Sequence, residues 1–199
     1  MLAARDLAAG CEWAEQRLGA KLAPGGEHPL FGTHNRLLGL ELAWGGRAYL
    51  EVIAVQPGAA CTRPRWFELD TPQMQTRLER GPALIHWVAR RPLLPSLPDW
   101  AARLPWLPLQ RGSNRWSLTV APGGELPGGG ALPSLIDWET PPPTQTLPVS
   151  GVVLEGLDLW LPHPAELAPW AGPGIRLHPA QQVRLQATCR RPDGEQVLL

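Results

Sequence analysis

A single carboxylate interrupts one of the most apolar stretches of the sequence. Residues 47–55 are rich in branched and aromatic side chains and end at a Pro-Gly pair, which predicts a strand. Strand alternation places Glu51 on the same face as Tyr49. A lone carboxylate on an apolar face is costly unless a cation or a donor meets it. Glu51 is therefore the first candidate for chemistry, and pairing with Arg36 or Arg47 on adjacent strands is the alternative.

Two further groups that could do chemistry lie in predicted strands. His86 is in the middle of strand 83–90, and Asp137 lies in the short strand 135–138. An imidazole and a carboxylate can each move a proton or bind a metal ion. For His86 the alternative is a core histidine with a backbone partner. For Asp137 it is a carboxylate that caps the end of a short strand.

The overall composition limits the class of partner. The chain has 199 residues, with 18 Lys and Arg against 18 Asp and Glu. This neutral balance argues against nucleic acid or an anionic membrane as the main partner, and no apolar run approaches the roughly 20 residues of a spanning helix. The three cysteines form no CxxC pair, so neither a disulfide framework nor a cysteine zinc site is predicted. A cytoplasmic location is the expectation.

The elements fall into three successive groups of strands around short helices. The first is predicted as strand 1–4, a helix capped by Asp6 and ended by Gly19, and strands 21–23, 33–40 and 47–55, with 24–32 as a loop. The second is predicted as strand 83–90, a short helix capped by Ser96 with Leu97, Trp100, Ala101 and Leu104 at helical spacing, and strands 116–120 and 135–138 around a glycine-rich turn. The third is predicted as strand 152–161, helix 164–167, strands 175–177 and 183–189, and a hairpin turn at Asp193-Gly194.

These groups predict an α+β protein built from repeated units. Tandem βαβββ modules would form a cupped mixed sheet with helices on its outer face, followed by a partial βαββ unit at the C-terminus. The predicted boundaries within one domain are module 1 at 1–57, a connection at 58–81, module 2 at 82–140 and the partial unit at 150–199. Leu50 and Val52, on the face opposite Glu51, are expected to pack against a helix.

The order of these elements, with five sequence motifs, resembles the glyoxalase-like domain proteins of the vicinal oxygen chelate superfamily, which includes glyoxalases, bleomycin resistance proteins and extradiol dioxygenases. The resemblance covers most of the chain and is weakest after Pro143. The motifs are Ala3-Ala4-Arg5-Asp6-Leu7, Gly32-Thr33-His34-Asn35, Tyr49-Leu50-Glu51-Val52-Ile53-Ala54, Arg63-Pro64-Arg65-Trp66-Phe67 and Leu135-Ile136-Asp137-Trp138.

The resemblance implies a divalent-metal site in the cup. Carried over by position, Glu51, His86 and Asp137 would be three ligands, one from the first or last strand of each module. The fourth would precede Met1, so the expectation is a start downstream of the natural one or an incomplete site. One imidazole and two carboxylates suit Zn, Mn, Fe, Ni or Mg. Glu51 is the candidate general base.

Four residues are predicted to contact the substrate. His34 and Asn35 could orient it, or could instead fix the preceding loop. Arg65 with Trp66 could hold an anionic group at the mouth of the cup, and the alternative is that the arginine braces the connection between the modules.

Two functions from different classes follow. The first is a metal-dependent enzyme of the lyase, isomerase or dioxygenase type that acts on a small carbonyl or vicinal-oxygen compound. The second is a non-catalytic protein that binds or sequesters a small molecule on the same fold, with an incomplete metal site. Either would act as a monomer or a homodimer, because two modules in one chain can close a cup.

Overall fold

Two curved sheets face each other in the computed structural model, which describes residues 1–91, 96 and 98–199. The strands are β1 (Leu2–Ala3), β2 (Ala23–His28), β3 (Thr33–Leu42), β4 (Arg47–Val55), β5 (Ala83–Leu84), β6 (Val88–Arg90), β7 (Trp106–Arg111), β8 (Asn114–Thr119), β9 (Ser134–Trp138), β10 (Val153–Leu161), β11 (Ile175–Pro179), β12 (Arg184–Arg190) and β13 (Gln196–Leu198). The helices are α1 (Leu7–Leu18), α2 (Pro72–Glu79), α3 (Asp99–Ala102), α4 (Pro143–Thr146) and α5 (Pro164–Leu167). None of the described helices is long and apolar enough to cross a membrane.

The helix and the two long strands of the first module form as predicted. Asp6 caps α1 by accepting the backbone N–H of Ala9 at 2.8 Å, and Gly19 ends the helix in the left-handed region at φ 67°. The apolar side of α1 packs on Leu50 and Val52 of β4, which confirms the predicted helix-facing side of that strand. The opposite side of β4, with Glu51, is therefore left to line the space between the two sheets.

The second module repeats the strand order of the first. In module 1 the first strand pairs in parallel with the last, and the order across the sheet is β1, β4, β3, β2. In module 2 the order is β6, β9, β8, β7, again with a parallel pair formed by the first and last strands. The tandem arrangement and the α+β class are confirmed. The two sheets bury a shared apolar core that includes Ile53, Trp66, Phe67, Trp116 and Ile136.

Three local predictions were wrong. Residues 24–32 were expected to be a loop because of their proline and glycines, but β2 runs along β3 with a bulge between Pro24 and Gly26. Strand β7 was not predicted because it contains a proline at 108, which argues against a strand unless the strand lies at the edge of a sheet, as β7 does. Strand 83–90 is interrupted, and His86 lies in the gap between β5 and β6.

The C-terminal unit extends the sheet of module 1. Strand β10 pairs with the end of β3 through Val153 and Leu154, and then lies between β11 and β12. The hairpin predicted at Asp193-Gly194 joins β12 to β13. In the second module, the predicted helix around Trp100 forms as α3, while Leu97 lies outside the described residues.

Candidate active site

A cavity lies inside the cup and is lined by both modules. It contains about 490 Å³ of space outside the protein atoms, including its open mouth. The residues that give it its chemistry come from β3, β4, β7, β8 and β9: Asn35, Tyr49, Glu51, Arg111, Trp116 and Trp138. The cavity is therefore polar on its module 1 side and aromatic on its module 2 side, with Arg111 joining the two.

Glu51 is a carboxylate with one oxygen held and one oxygen free. Its Oε1 accepts a hydrogen bond from Nδ2 of Asn35 at 2.6 Å, and its Oε2 receives none from the described residues. Burial raises the pKa of Glu51 and outweighs the opposite effects of the Asn35 hydrogen bond, the Met1 amino group and the Arg111 charge. A carboxylate of this kind is more basic than usual, which suits it to accept a proton.

Asn35 connects Glu51 to the second module. Its Oδ1 accepts from the backbone N–H of Gly26 at 2.9 Å and from Nη1 of Arg111 at 3.0 Å. These two donors fix the orientation of the amide, so that Nδ2 must point at Glu51. Asn35 therefore positions both the carboxylate and the guanidinium, and its predicted place in the site is supported by contacts.

His28 stands behind Asn35 and is neutral. Its Nε2 is 3.5 Å from Nδ2 of Asn35, and its Nδ1 is 3.1 Å from Oγ1 of Thr33, which also accepts from Nε1 of Trp66 at 3.2 Å. Burial lowers the pKa of His28 to about 3. The imidazole therefore links the polar group to the aromatic wall without bringing a charge.

Tyr49 supplies a neutral hydroxyl next to the carboxylate. It lies two residues before Glu51 on the same face of β4 and lines the same cavity. Burial, assisted by the nearby carboxylate, raises the pKa of Tyr49. The phenol therefore stays protonated and can donate a hydrogen bond to a ligand oxygen.

Two residues of the aromatic wall, Trp66 and Phe67, belong to the connection between the modules. Trp66 stacks on Phe31 with ring centroids 3.9 Å apart, and Phe67 follows with φ at 60°. Phe67 and Glu68 are consecutive non-glycine residues in the left-handed region, which is an uncommon conformation. The surrounding structure must hold this backbone in place, and Glu68 does so through its N–H, which donates to Gly124 O at 2.8 Å.

Gly124→Ala is expected to displace this wall. A Cβ at that position would lie 2.0 Å from the backbone oxygen of Arg65, and the residue has φ at 82°. We expect a loss of about 2–4 kcal/mol in the free energy of unfolding, because backbone atoms cannot move aside cheaply. Urea unfolding measures it. Gly112→Ala, at φ 57° with open space around its Cβ, is the control for the conformational cost alone, and equal losses in both variants would contradict the contact.

His86 does not lie in the cavity. It is fully buried, its Nε2 accepts the backbone N–H of Ser134 at 3.1 Å, and its Nδ1 donates to Gly130 O at 3.2 Å. Burial lowers the pKa of His86 to about 3. Both ring nitrogens are therefore engaged by the backbone, in the manner of the core histidine that was the alternative to a ligand.

Asp137 also points away from the cup. Its neighbours Ile136 and Trp138 line the cavity, so strand alternation turns Asp137 to the opposite, exposed face. On the first strand of module 2 the residue that lines the cavity is Val88. Glu51 and Asp137 were predicted as equivalent ligands because each lies in the last strand of its module. On the face of β9 that lines the cavity, however, the side chains are those of Ile136 and Trp138.

The predicted ligands do not fit a metal site. Of Glu51, His86 and Asp137, only Glu51 lines the cavity. Across residues 1–91, 96 and 98–199, no three His, Cys, Asp or Glu side chains are close enough together to hold a metal ion. The donor set of the cavity is one carboxylate and the His28 imidazole, with an amide, a phenol and a guanidinium. Both ring nitrogens of His28 already face Thr33 and Asn35, so the set is poor in free ligands of the kind that divalent metals prefer.

The other predicted contact residues divide into two pairs. Asn35 and Trp66 line the cavity, whereas His34 and Arg65 do not. Arg65 donates to Gly32 O at 3.4 Å and to Ala59 O at 3.2 Å, and it pairs with Asp70 at 2.7 Å. It therefore braces the connection, which was the alternative to substrate binding.

Sequence reasoning missed three residues of the cavity. His28 was assigned to a loop, Arg111 lay on an unpredicted strand, and Tyr49 was noted only for its strand face. The alternation of Tyr49 with Glu51 was a usable signal, because residues two apart in a strand share a face. No comparable signal marked His28 or Arg111, which approach Glu51 only through the pairing of β2 with β3 and the packing of β7 nearby.

Comparison with known proteins supports the fold. A Staphylococcus aureus protein solved as a hypothetical protein has 12% identity and a TM-score of 0.53, with 83% of this chain and 79% of that chain covered. A Streptomyces coelicolor methylmalonyl-CoA epimerase variant in complex with 2-nitronate-propionyl-CoA has 16% identity and a TM-score of 0.40, with 70% and 94% covered. No curated protein matches the chain. The family described as glyoxalase-like domain matches residues 1–173, and the chain belongs to this family.

Proposed function

We propose that this protein is an enzyme that moves a proton at the carbon next to a carbonyl group, with Glu51 as the general base. The observation that carries the proposal is the Glu51 carboxylate itself. It is held by Asn35 at 2.6 Å inside a cavity with aromatic walls, and burial raises its pKa. Glu51 was the predicted catalytic residue, and its position in the cup supports that role.

The proposed step needs no external oxidant or reductant. The free Oε2 of Glu51 takes the proton from the α-carbon of the bound carbonyl compound. The electron pair of the broken C–H bond forms the carbon–carbon double bond of an enolate, and the carbonyl oxygen takes the negative charge. The Tyr49 hydroxyl can donate a hydrogen bond to this oxygen. Return of the proton from Glu51 to the same carbon regenerates the ketone, and its delivery to another carbon of a conjugated enolate completes an isomerisation. Collapse of the enolate with expulsion of a leaving group from the neighbouring carbon instead completes a lyase reaction.

The proposal routes no step through a metal ion. A divalent metal was part of the function predicted from the sequence, but the described residues bring no three His, Cys, Asp or Glu side chains together that could hold one. Burial raises the pKa of Glu51 without a metal, and the neighbouring donors come from Asn35, Tyr49 and Arg111. These contacts support a proton transfer carried out by the chain's own residues.

A second candidate is a protein that binds a small molecule without changing it. The aromatic wall favours it, because Trp66, Phe67, Trp116 and Trp138 offer flat apolar faces to a ligand. Trp116 and Trp138 lie 5.1 Å apart between ring centroids on neighbouring strands. On this alternative Glu51 would serve as a hydrogen-bond acceptor for the ligand rather than as a base.

Proton exchange separates the two candidates. The probe is 4-oxo-4-phenylbutanoate, a stable aryl ketone whose C3 protons lie next to the carbonyl. In D₂O, proton NMR follows the replacement of these protons by deuterium. We expect the protein to speed the exchange well above the buffer rate, and heat-denatured protein is the control. Binding of the ketone with exchange at the buffer rate would favour the second candidate over the proposed enzyme.

A further inference from the structure

We infer that the cavity selects carbonyl compounds that carry a carboxylate, and that Arg111 is the residue that binds this group. The inference rests on the proposed function, because it names the substrate class of the same site. The inference goes beyond the proposed function by assigning a specificity-determining residue in module 2, whereas the proposed base lies in module 1.

The position of Arg111 is fixed by its surroundings. The residue ends β7, and its Nη1 donates to Asn35 Oδ1 at 3.0 Å. The stem of the side chain lies against Gly26, where a Cβ would come within 2.5 Å of Cδ of Arg111. The glycine at this position of β2 therefore leaves room for the arginine to reach across from one module to the other. A guanidinium held in this way is preorganised for a ligand.

Arg111 forms no direct ion pair with a carboxylate of the described residues, although its charge acts on Glu51 across Asn35. Within the described part of the chain, its guanidinium makes the hydrogen bond to Asn35 and no ion pair. Some other arginines are paired, as Arg65 is with Asp70 and Arg176 with Asp158. A partly buried cation that lines a cavity without a carboxylate partner is the complement of an anionic ligand group.

The surrounding charges favour a carboxylate over a phosphate. Arg111 is the side chain that brings a positive charge to the cavity among the described residues, because His28 is neutral. Met1 also lines the cavity, but burial lowers the pKa of its amino group to about 6, so this group is largely uncharged at pH 7. Glu51 lies on the other side of Asn35. One cation balances one carboxylate, whereas a phosphate dianion would leave an excess of negative charge next to Glu51. The anion is therefore expected to carry a single charge.

The two functional groups also limit the distance between the anion and the reacting carbon. Glu51 and Arg111 bind the two ends of one carboxamide, that of Asn35. The acidic C–H of the ligand and its carboxylate must therefore be only a few bonds apart. In 4-oxo-4-phenylbutanoate, C3 is separated from the carboxylate carbon by one carbon, and the phenyl ring can lie on the aromatic wall.

A comparison of this acid with its methyl ester tests the inference. The ester keeps the ring, the ketone and the C3 protons but has no charge. Isothermal titration calorimetry at pH 7 measures the binding of both probes to the whole protein. We expect the acid to bind at least 10-fold more tightly than the ester. Arg111→Gln should abolish this preference, and Arg111→Lys should keep part of it.

Matched variants separate binding from chemistry and from folding. Arg115→Gln removes an arginine that pairs with Glu139 away from the cavity, and it should leave the preference unchanged. Glu51→Gln should retain the preference for the acid while losing exchange. Equal binding of acid and ester by the wild type, or a preference that survives in Arg111→Gln, would overturn the inference. So would displacement of the acid by an equal concentration of inorganic phosphate.

The failures of the two proposals are distinguishable. If the protein binds the acid selectively but leaves its exchange at the buffer rate, the proton-transfer function fails and the assignment of Arg111 stands. If the protein speeds the exchange of acid and ester equally and binds both equally, the function stands and the assignment of Arg111 fails.

Discussion

Glu51→Gln is expected to slow the catalysed proton exchange by about 10²- to 10⁴-fold, the range for removal of a general base. The amide keeps the shape of the carboxylate and its contact with Asn35, so ligand binding should persist. Exchange by wild type should rise with pH as Glu51 loses its proton, and the rise should be centred above the ordinary carboxyl pKa. The measurement is the exchange rate of 4-oxo-4-phenylbutanoate as a function of pH for both proteins.

The same substitution should stabilise the protein at neutral pH. Because burial raises the pKa of Glu51 in the folded state, the unfolded chain binds fewer protons than the folded one between the two pKa values. This group therefore lowers the stability of wild type as the pH rises through that window, by at most about 1.4 kcal/mol per pH unit. Gln removes this slope, so the gain should be present at pH 7 and vanish below about pH 4.

Glu139→Gln is the matched control for this experiment. Glu139 follows β9 at an exposed position and pairs with Arg115 at 3.4 Å. Its neutralisation should leave the exchange rate unchanged. It should change the free energy of unfolding by no more than a few tenths of a kcal/mol. If Glu51→Gln kept full exchange, or lost stability at pH 7, the role of Glu51 as a buried base would be contradicted.

His86→Ala is expected to have the largest effect on stability, about 2–5 kcal/mol at pH 7. The substitution leaves a cavity in the core and leaves the two buried partners of the ring, Ser134 N–H and Gly130 O, without their hydrogen bonds to it. Urea unfolding measures the loss. His163→Ala, at an exposed position before α5, is the control and should be nearly neutral.

The effect of His86→Ala should depend on pH in a defined direction. The folded-state pKa is about 3, below the ordinary value near 6.5, so the unfolded chain takes up a proton first as the pH falls. The stability that wild type owes to His86 is therefore complete above about pH 6.5 and declines toward pH 3, by up to about 1.4 kcal/mol per pH unit. A variant that kept its stability but lost bound metal would instead support the ligand role predicted from the sequence.

The fold was largely predictable because local signals and the repeat agreed. The Asp6 cap, the terminating Gly19 and the apolar spacing of α1 each mark the same helix, and the alternation in β4 assigns its two faces correctly. Edge strands were harder. In β2 and β7, glycine and proline occupy strand positions that pairing with the next strand stabilises, whereas the local composition alone is typical of a loop.

Only those site residues that stand out from the pattern of a single strand could be predicted. Glu51 stood out because a carboxylate interrupts an apolar face, and it does line the cavity. Asp137 was predicted to lie in the cup because the two modules were compared only by the order of their strands. This comparison does not give the face of the strand on which a residue lies, and a shift of one residue along a strand reverses the face. Arg111 could not have been found, because its approach to Asn35 depends on the packing of module 2 against β2 and β3.

A ¹³C NMR titration of the Glu51 side-chain carboxyl carbon tests the central claim most directly. In wild-type protein labelled at glutamate, with Glu51→Gln used to assign the signal, the carbon should titrate above the ordinary glutamate pKa of about 4.3. Loss of the Arg111 charge in Arg111→Gln should move the midpoint still higher. A midpoint at or below the ordinary value would mean that the carboxylate is held as a stable anion, and would contradict its role as a base kept reactive by burial.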